Sequence, residues 1–293
     1  MASGAAGRQP HWAPTGALLL NAAVWGLSWW PFRQLNDAGV HPLWATAIVY
    51  STITVCISLL RPAVWPALCR PSSLWVLVVA AGTTNAGFNW AVSTGDVVRV
   101  VLLFYLMPLW AVLLARWLLK EAITLGALAR VALGLAGALL VLWPTDGRPP
   151  WQAELSLADG LSILGGFSFA LNNVMLRREQ HRAESERAAA MFVGGAVVAA
   201  AVAGLGGLPA PTAAAWPAAA LGLLGLTVAF MVANSALQFG ASRLPAHRTA
   251  VIMLTEVLFA SVSAVALGAG VLSWPLVLGG ALIVGSALLA ALE

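Results

Sequence analysis

The chain has 293 residues, of which 60% are apolar or aromatic and only 9% carry charge, against roughly 25% charged in an ordinary soluble domain. A water-soluble domain is excluded, and ten spans of about 20 residues each leave short loops and no sizeable extramembrane domain. The net charge of +4 comes from fifteen basic residues that fall between apolar runs, so it reads as a topology signal and not as nucleic-acid affinity. Cys56 and Cys69 form neither a disulfide framework nor a metal-ligand spacing.

Apolar windows and their Pro, Gly or charged punctuation place spans at about 14–35, 42–60, 74–94, 98–118, 124–143, 157–177, 187–206, 216–239, 245–267 and 273–292. Arg8 ahead of the first run superficially resembles a signal peptide, but the run is of spanning length and nine more follow, so it is kept as a span. The first span carries Trp25, Ser28 and Trp29, with Pro31 as an interruption. Tyr50 lies within the second. Asn85, Phe88, Asn89 and Trp90 follow in the third, separated from the fourth only by Ser93–Asp96. The fourth holds Tyr105, Pro108 and Trp110, and the fifth has Gly134 and Ala138 at four-residue spacing. Phe169, Asn172 and Asn173 sit in the sixth, Asn234 and Gln238 in the eighth. Glu256 is midway along the ninth, and the tenth repeats small-residue spacing at Ala281 and Gly285.

Charge placement sets an orientation. With the N-terminus inside, Arg8, Arg61, Arg70, Arg116, Lys120, Arg177, Arg178, Arg182, Arg187, Arg243 and Arg248 are cytoplasmic, whereas only Arg33, Arg99 and Arg148 lie opposite. Arg130 falls within the fifth span. The outer loops carry Asp37, Asp96, Asp146 and Glu154. Trp12, Trp44, Trp65, Trp75, Trp117, Trp143, Trp151, Trp216 and Trp274 mark span ends as interfacial anchors, while Trp25, Trp29, Trp90 and Trp110 sit deeper.

A shift of 149 pairs Asn85 with Asn234, Asn89 with Gln238, Trp90 with Phe239 and Arg99 with Arg248. A shift of 144 pairs Trp25 with Phe169, Ser28 with Asn172, Trp29 with Asn173 and Arg33 with Arg177. The difference fits the longer Leu205–Trp216 segment. Five spans per half reverse the second half in the membrane, an inverted repeat of the kind that places a transporter's site near the midplane.

Each rare side chain has a functional and a plain reading. An ionised Glu256 costs about 2.5–3.5 kcal/mol at a span centre, so it serves coupling or a substrate ammonium, or is a hydrogen-bonded structural acid. Asn85 and Asn89 share a helix face, as do Asn234 and Gln238. Carboxamides supply the donors and acceptors a zwitterion needs, or they stitch helices together. Of adjacent Asn172 and Asn173, at most one reaches a cavity. Trp25, Trp29, Tyr50, Phe88, Trp90, Tyr105 and Phe169 stack on a substrate or simply pack. Pro31 and Pro108 free carbonyls for ligands or hinges, or are static kinks. Arg33, Arg99, Arg177 and Arg248 are explained by snorkelling. The two small-residue pairs read as scaffold or dimer faces.

Trp25-Gly26-Leu27-Ser28, Tyr105-Leu106-Met107-Pro108, the Lys120-Glu121 turn and glycines 134, 137, 279, 280 and 285 together resemble the drug/metabolite transporter superfamily, EamA type, over about 14–292. The resemblance implies an all-α membrane fold of two inverted five-helix repeats, 14–143 and 157–292, around a central cavity. Tyr-Leu-x-Pro is similar to the aromatic amino acid exporter (YddG-type) branch. This implies export of aromatic and other neutral amino acids across the bacterial inner membrane, or of drugs and other metabolites on the same fold. Val257 stands where many members have Pro after Glu, and Gly270 where Glu is common, which puts strict symmetry of function between the halves in doubt.

An intramembrane enzyme is the main rival, since Ser168 lies among small residues at 166–170. Its base is missing: His11, His41, His181 and His247 all fall at span ends or in loops, and no HExxH occurs. One Glu is a poor ion filter for a channel, and no Walker A motif is present. The expected partners are a small-molecule substrate and lipid, with room for a homodimer and no nucleic acid. No catalytic residue, cofactor or metal is expected.

Overall fold

The computed structural model describes residues 12–70, 72–94, 97–143, 155–268 and 272–292. The loop residues Arg8, Asp96, Asp146, Arg148 and Glu154, the anchor Trp151 and Gly270 lie outside them. Among the described residues the chain is helical throughout, without strands. Among the described residues six helical segments are long and apolar enough to cross a membrane, two of them, Val100–Leu119 and Ala246–Ala266, running through breaks, as the composition requires of a multi-pass membrane protein.

In chain order the helices are α1 (Trp12–Leu27), α2 (Trp29–Asp37), α3 (Pro42–Leu60), α4 (Val64–Cys69), α5 (Leu74–Thr94), α6 (Val97–Phe104) and α7 (Met107–Leu114), which runs into a π-helical turn at Ala115–Leu119. Then come α8 (Leu125–Val141), α9 (Leu157–Arg178), α10 (Glu184–Leu205), α11 (Trp216–Ala241), α12 (Ala246–Met253), α13 (Glu256–Ala266) and α14 (Trp274–Leu292). Polar caps start several of them. His41 accepts from the Leu43 N–H and Thr124 from that of Ala127. Ser156 and Asp159 form a reciprocal capping box at α9.

Three segments read as single spans are broken. The first breaks at Ser28, between α1 and α2, and the fourth at Tyr105-Leu106, between α6 and α7. Each break lies two or three residues ahead of a proline, because Pro31 and Pro108 have no N–H for the carbonyl four residues back and their rings crowd it. The third break, at Leu254-Thr255 between α12 and α13, has no proline. There the Thr255 hydroxyl donates to the Ile252 carbonyl at 2.7 Å, and the next turn tightens as the Val257 N–H reaches the Leu254 carbonyl at 3.1 Å. A side-chain hydroxyl that takes a backbone acceptor competes with the helical ladder. The shift of 149 maps 105–106 onto 254–255.

Helix packing runs through bare backbone at a few glycines. A Cβ on Gly194 would land on the Val78 carbonyl, locking α10 to α5. Gly137 and Gly279 face each other's carbonyls across α8 and α14, and Gly134 meets Leu254 and Ser286. Thus the α8 small-residue face packs within the chain. The α14 pair does not: Ala281 and Gly285 line an apolar groove against α13 together with Val262 and Leu258.

Trp12, Trp65, Trp75, Trp117, Trp216 and Trp274 are exposed near helix ends, the placement expected of interfacial indoles. Trp44, also at a helix end, is only partly exposed. Its indole N–H donates to the Leu208 carbonyl at 3.2 Å, which ties the start of α3 to the loop after α10.

Candidate functional site

The broken helices border a central cavity of about 580 Å³. α1 reaches it through Trp25 and Gly26, the α1–α2 break through Ser28, α2 through Trp29 and Phe32, and α3 through Tyr50. α5 presents one face, Ala81, Thr84, Asn85, Phe88 and Asn89, at helical spacing. Val101, Phe104 and Tyr105 enter at the α6–α7 break, and Glu256, Val257 and Ala260 at the start of α13. Phe169 and Asn172 come from α9, Met191 and Phe192 from α10, and Phe230, Asn234 and Leu237 from α11.

Two glycines let the breaks approach. Gly26 packs α1 on the Glu256 carbonyl, where a Cβ would come to 2.7 Å, and Gly166 lets α9 sit against the Phe104 carbonyl. That carbonyl is the one left without its helical donor by Pro108.

Two aromatic groups line the cavity. In the first, Trp25 stacks on Phe230 at 4.6 Å and 19°, while Tyr50 meets Phe230 edge-on at 6.0 Å and Phe192 at 5.1 Å. The second is Phe88, Phe104, Tyr105 and Phe169, with Phe104 at 4.8 Å from Phe88 and 5.9 Å from Phe169. Quadrupolar ring edges and faces favour such tilted contacts and leave apolar surface for a ligand. The polar groups are few. The Tyr50 hydroxyl donates to Asn85 Oδ1 at 3.3 Å, and Asn85 Nδ2 donates to the Ala81 carbonyl at 3.0 Å. Trp29 Nε1 donates to Ser263 Oγ at 2.9 Å. Glu256 is the one carboxylate among the described lining residues, which include no Arg, Lys or His.

Twelve of the thirteen side chains singled out for substrate contact line this cavity: Trp25, Ser28, Trp29, Tyr50, Asn85, Phe88, Asn89, Tyr105, Phe169, Asn172, Asn234 and Glu256. Gln238 does not. It is fully buried one turn beyond Asn234 and donates Nε2 to Asn234 Oδ1 at 2.7 Å. Asn234 in turn donates to the Met191 sulfur at 3.4 Å, so the two carboxamide stripes are not equivalent across the cavity. Asn172 reaches the cavity and Asn173, on another face of α9, is sealed with no exposure. Trp90 is no part of the lining but half-exposed at 38%, and Trp110 packs edge-on against Phe167. Pro31 and Pro108 stand beside the breaks and outside the lining.

Sequence reading missed Asn21, whose Nδ2 donates to the Ala233 carbonyl at 2.7 Å, and Thr84, Ser261, Phe32, Phe104, Phe192 and Phe230. Asn21 precedes Trp25 by one turn and Phe230 precedes Asn234 by one turn, so the i,i+4 rule applied to residues already chosen finds both.

The cavity reaches Phe32, Pro42, Leu142 and Ala264 at the ends of their segments, which places its mouth on the face of the 38–41 turn. His41 there has its pKa lowered by burial. The opposite face is sealed: Met175, Leu176, Leu244, Ile252 and Met253 are at most 2% exposed. Beyond them lies a polar layer. Arg177, expected to snorkel, instead donates to the Ser242 carbonyl at 2.6 Å. Glu121 lies 3.9 Å from His247 Nδ1. Burial raises the Glu121 pKa, against the opposing pull of Arg177, the Ala246 N–H and Arg248. Glu179 has Arg182 at 2.7 Å and His181 at 3.8 Å. Burial works to raise its pKa too, but hydrogen bonds from Arg182 and Ser73 and the charges of Arg182 and His181 carry it below the usual value.

Residues 15–143 match the model of the EamA-like transporter family. No curated protein matches the chain in sequence. Among solved structures, a crystal structure of a protein is similar with a TM-score of 0.75 over 96% of this chain and 97% of that chain, at 20% identity. An identity that low carries the fold and says nothing of substrate.

Proposed function

We propose that the chain is an EamA-type secondary transporter of ten spans in two inverted repeats. In this reading it exports aromatic and other neutral amino acids across the bacterial inner membrane by alternating access, with both termini cytoplasmic. The observation that carries the reading is a central cavity, open on one face and sealed on the other, lined by two aromatic groups with, among the described residues, one carboxylate and several carboxamides. The rings take the apolar side chain. Glu256 takes the ammonium group, and Asn85, Asn89 and Asn172 offer donors to the carboxylate. The family match over 15–143 and the corresponding breaks at 105–106 and 254–255 support the same architecture. Pro31, Pro108 and Thr255 mark the positions where the segments bend as the cavity changes sides.

A second substrate class is favoured by one feature: Glu256 has no basic side chain with it in the described lining. A cationic aromatic amine satisfies that carboxylate without asking for a carboxylate site of its own. Counterflow of labelled tryptophan, phenylalanine, threonine and an aromatic amine into proteoliposomes, with and without a pH gradient, separates the classes. Saturable exchange of the amino acids supports the first reading, and exchange of the amine alone the second. No exchange of any of the four by folded protein overturns both.

A further inference from the structure

Between the cavity and the sealed face lies a group of buried polar side chains that the cavity does not use. Asn173, Gln238 and Thr249 have no exposure at all. Both polar atoms of the Asn173 side chain, Gln238 Oε1 and Thr249 Oγ1 are without a hydrogen-bond partner. They stand on three neighbouring helices. Asn173 lies five residues from the end of α9, Gln238 three from the end of α11, and Thr249 three from the start of α12. At 1.5 Å per residue all three are within about 8 Å of the sealed face. Asn172 and Asn234 are above them at the cavity, and Arg177, Glu121 and His247 are below them. A bundle embedded in lipid has no reason to keep such atoms unpaired in its interior.

The internal repeat supplies a reason. Under the shift of 149 Gln238 corresponds to Asn89, and under the shift of 144 Asn173 corresponds to Trp29. Asn89 and Trp29 both line the open cavity. Inverted halves exchange conformations when access alternates, so Gln238 and Asn173, sealed here while their counterparts are wet, are placed to become wet when the other face opens. Thr249, whose counterpart Val100 is itself buried, joins them through its unpaired hydroxyl and its place on the neighbouring helix.

We infer that Asn173, Gln238 and Thr249 line a second vestibule, closed in this structure, which opens on the face of Arg177 and Glu121 and receives the substrate's polar groups. The inference rests on the alternating-access reading above but not on the identity of the substrate. The unpaired atoms are the hydrophilic wall of that vestibule, and they gain water when the face opens.

The test is cysteine accessibility in proteoliposomes. Cys56 and Cys69 are replaced by Ser, and single variants Asn173→Cys, Gln238→Cys and Thr249→Cys are treated with a membrane-impermeant methanethiosulfonate. Val174→Cys, equally buried beside Asn173, is the sealed control, and Asn89→Cys is the open one. The three test positions are expected to label faster than Val174→Cys, and faster still during counterflow. Each variant is first checked for monodispersity and thermal unfolding, so that a misfolded one is set aside while the others carry the test. Labelling no faster than Val174→Cys in proteoliposomes that perform counterflow overturns the vestibule and leaves the transporter reading intact. Labelling as expected, with no counterflow of any offered amine or amino acid by the Cys56→Ser, Cys69→Ser parent that keeps Asn173, Gln238 and Thr249, leaves the vestibule and removes the substrate reading.

Discussion

Glu256 is the residue on which the proposed chemistry turns, because the described lining offers it no cation of its own. Glu256→Gln keeps the shape and removes the charge. A hydrogen bond to a charged group contributes about 1.5–3 kcal/mol, so counterflow of an amine-bearing substrate is expected to lose roughly tenfold or more in apparent affinity. Thermal unfolding in detergent is expected to hold or rise, since a buried carboxylate is exchanged for a neutral amide. A large drop in thermal stability with affinity unchanged would make Glu256 a structural acid instead. Tyr50→Phe is the milder case, removing only the hydroxyl donated to Asn85. It is expected to cost about 1 kcal/mol of stability, visible as a small downward shift in unfolding temperature. At this scale the sequence was informative where a side chain was out of place. An Asn, Glu or Tyr within an apolar run needs a partner or a cavity, and Tyr50, Asn85, Asn89, Tyr105, Asn172, Asn234 and Glu256 are at the cavity, whereas Asn173 is sealed away from it. Phe192 was illegible, and Phe230 legible only through Asn234 one turn on, because a phenylalanine in a span has no such need and only its neighbours reveal which way it faces. Gln238 was misjudged for a related reason. Helical spacing gives a shared direction with Asn234 but not where the cavity ends along the helix.

Helices were legible from hydropathy because a lipid-embedded chain must satisfy its backbone within each segment. The breaks were only partly so. Pro31 and Pro108 announce theirs, but the third depends on the Thr255 hydroxyl taking the Ile252 carbonyl, a common residue in an uncommon use. Thr255→Val removes that competing donor while it keeps the size of the side chain. It is expected to straighten the α12–α13 junction and slow exchange, measured as a lower counterflow rate with little change in unfolding temperature. Glycine contacts make a sharper test of packing. Gly194→Ala drives a methyl into the Val78 carbonyl, and overpacking of this kind costs about 1–3 kcal/mol. Gly285→Ala meets nothing within 4 Å and trades a poor helix former for the best one, a gain of up to about 1 kcal/mol. Thermal unfolding of the two variants is therefore expected to shift in opposite directions. Equal shifts would mean that the α5–α10 contact is looser than described.

Across the whole molecule, the two faces of the bundle differ in how their loops are held. The mouth face has the 38–41 turn and the Trp44 bond to Leu208, whereas the sealed face carries the charged network of Glu179, Arg182, Arg177 and Glu121. Counting basic residues anticipated which face would be rich in arginine, but not that Arg177 would donate to the Ser242 carbonyl or that Glu121 would meet His247, since partners distant in sequence meet only after folding. Glu179 bridges the α9–α10 loop to Ser73 before α5. Its carboxyl is held below the usual 4.5, so the folded state binds this proton less readily than the unfolded chain does. The stabilisation is fully present above about 4.5 and is lost as pH falls through the lowered folded value. Glu121 has the opposite sign: its raised pKa gives a contribution present below 4.5 and lost as pH rises through the folded value. Glu179→Gln is therefore expected to lower unfolding temperature near neutral pH, by about 1.5 kcal/mol or more for the charged hydrogen bonds removed. The gap to the parent protein should narrow steadily as pH drops below 4.5. For Glu121→Gln the unfolding temperature should equal or exceed that of the parent near neutral pH, with the difference shrinking on acidification. Unfolding curves of the three proteins across this range decide the matter. A Glu179→Gln gap that stays constant with pH would mean the loop is held by shape alone, and the sealed face would then owe its closure to the apolar layer of Leu176, Leu244 and Met253 rather than to its charges.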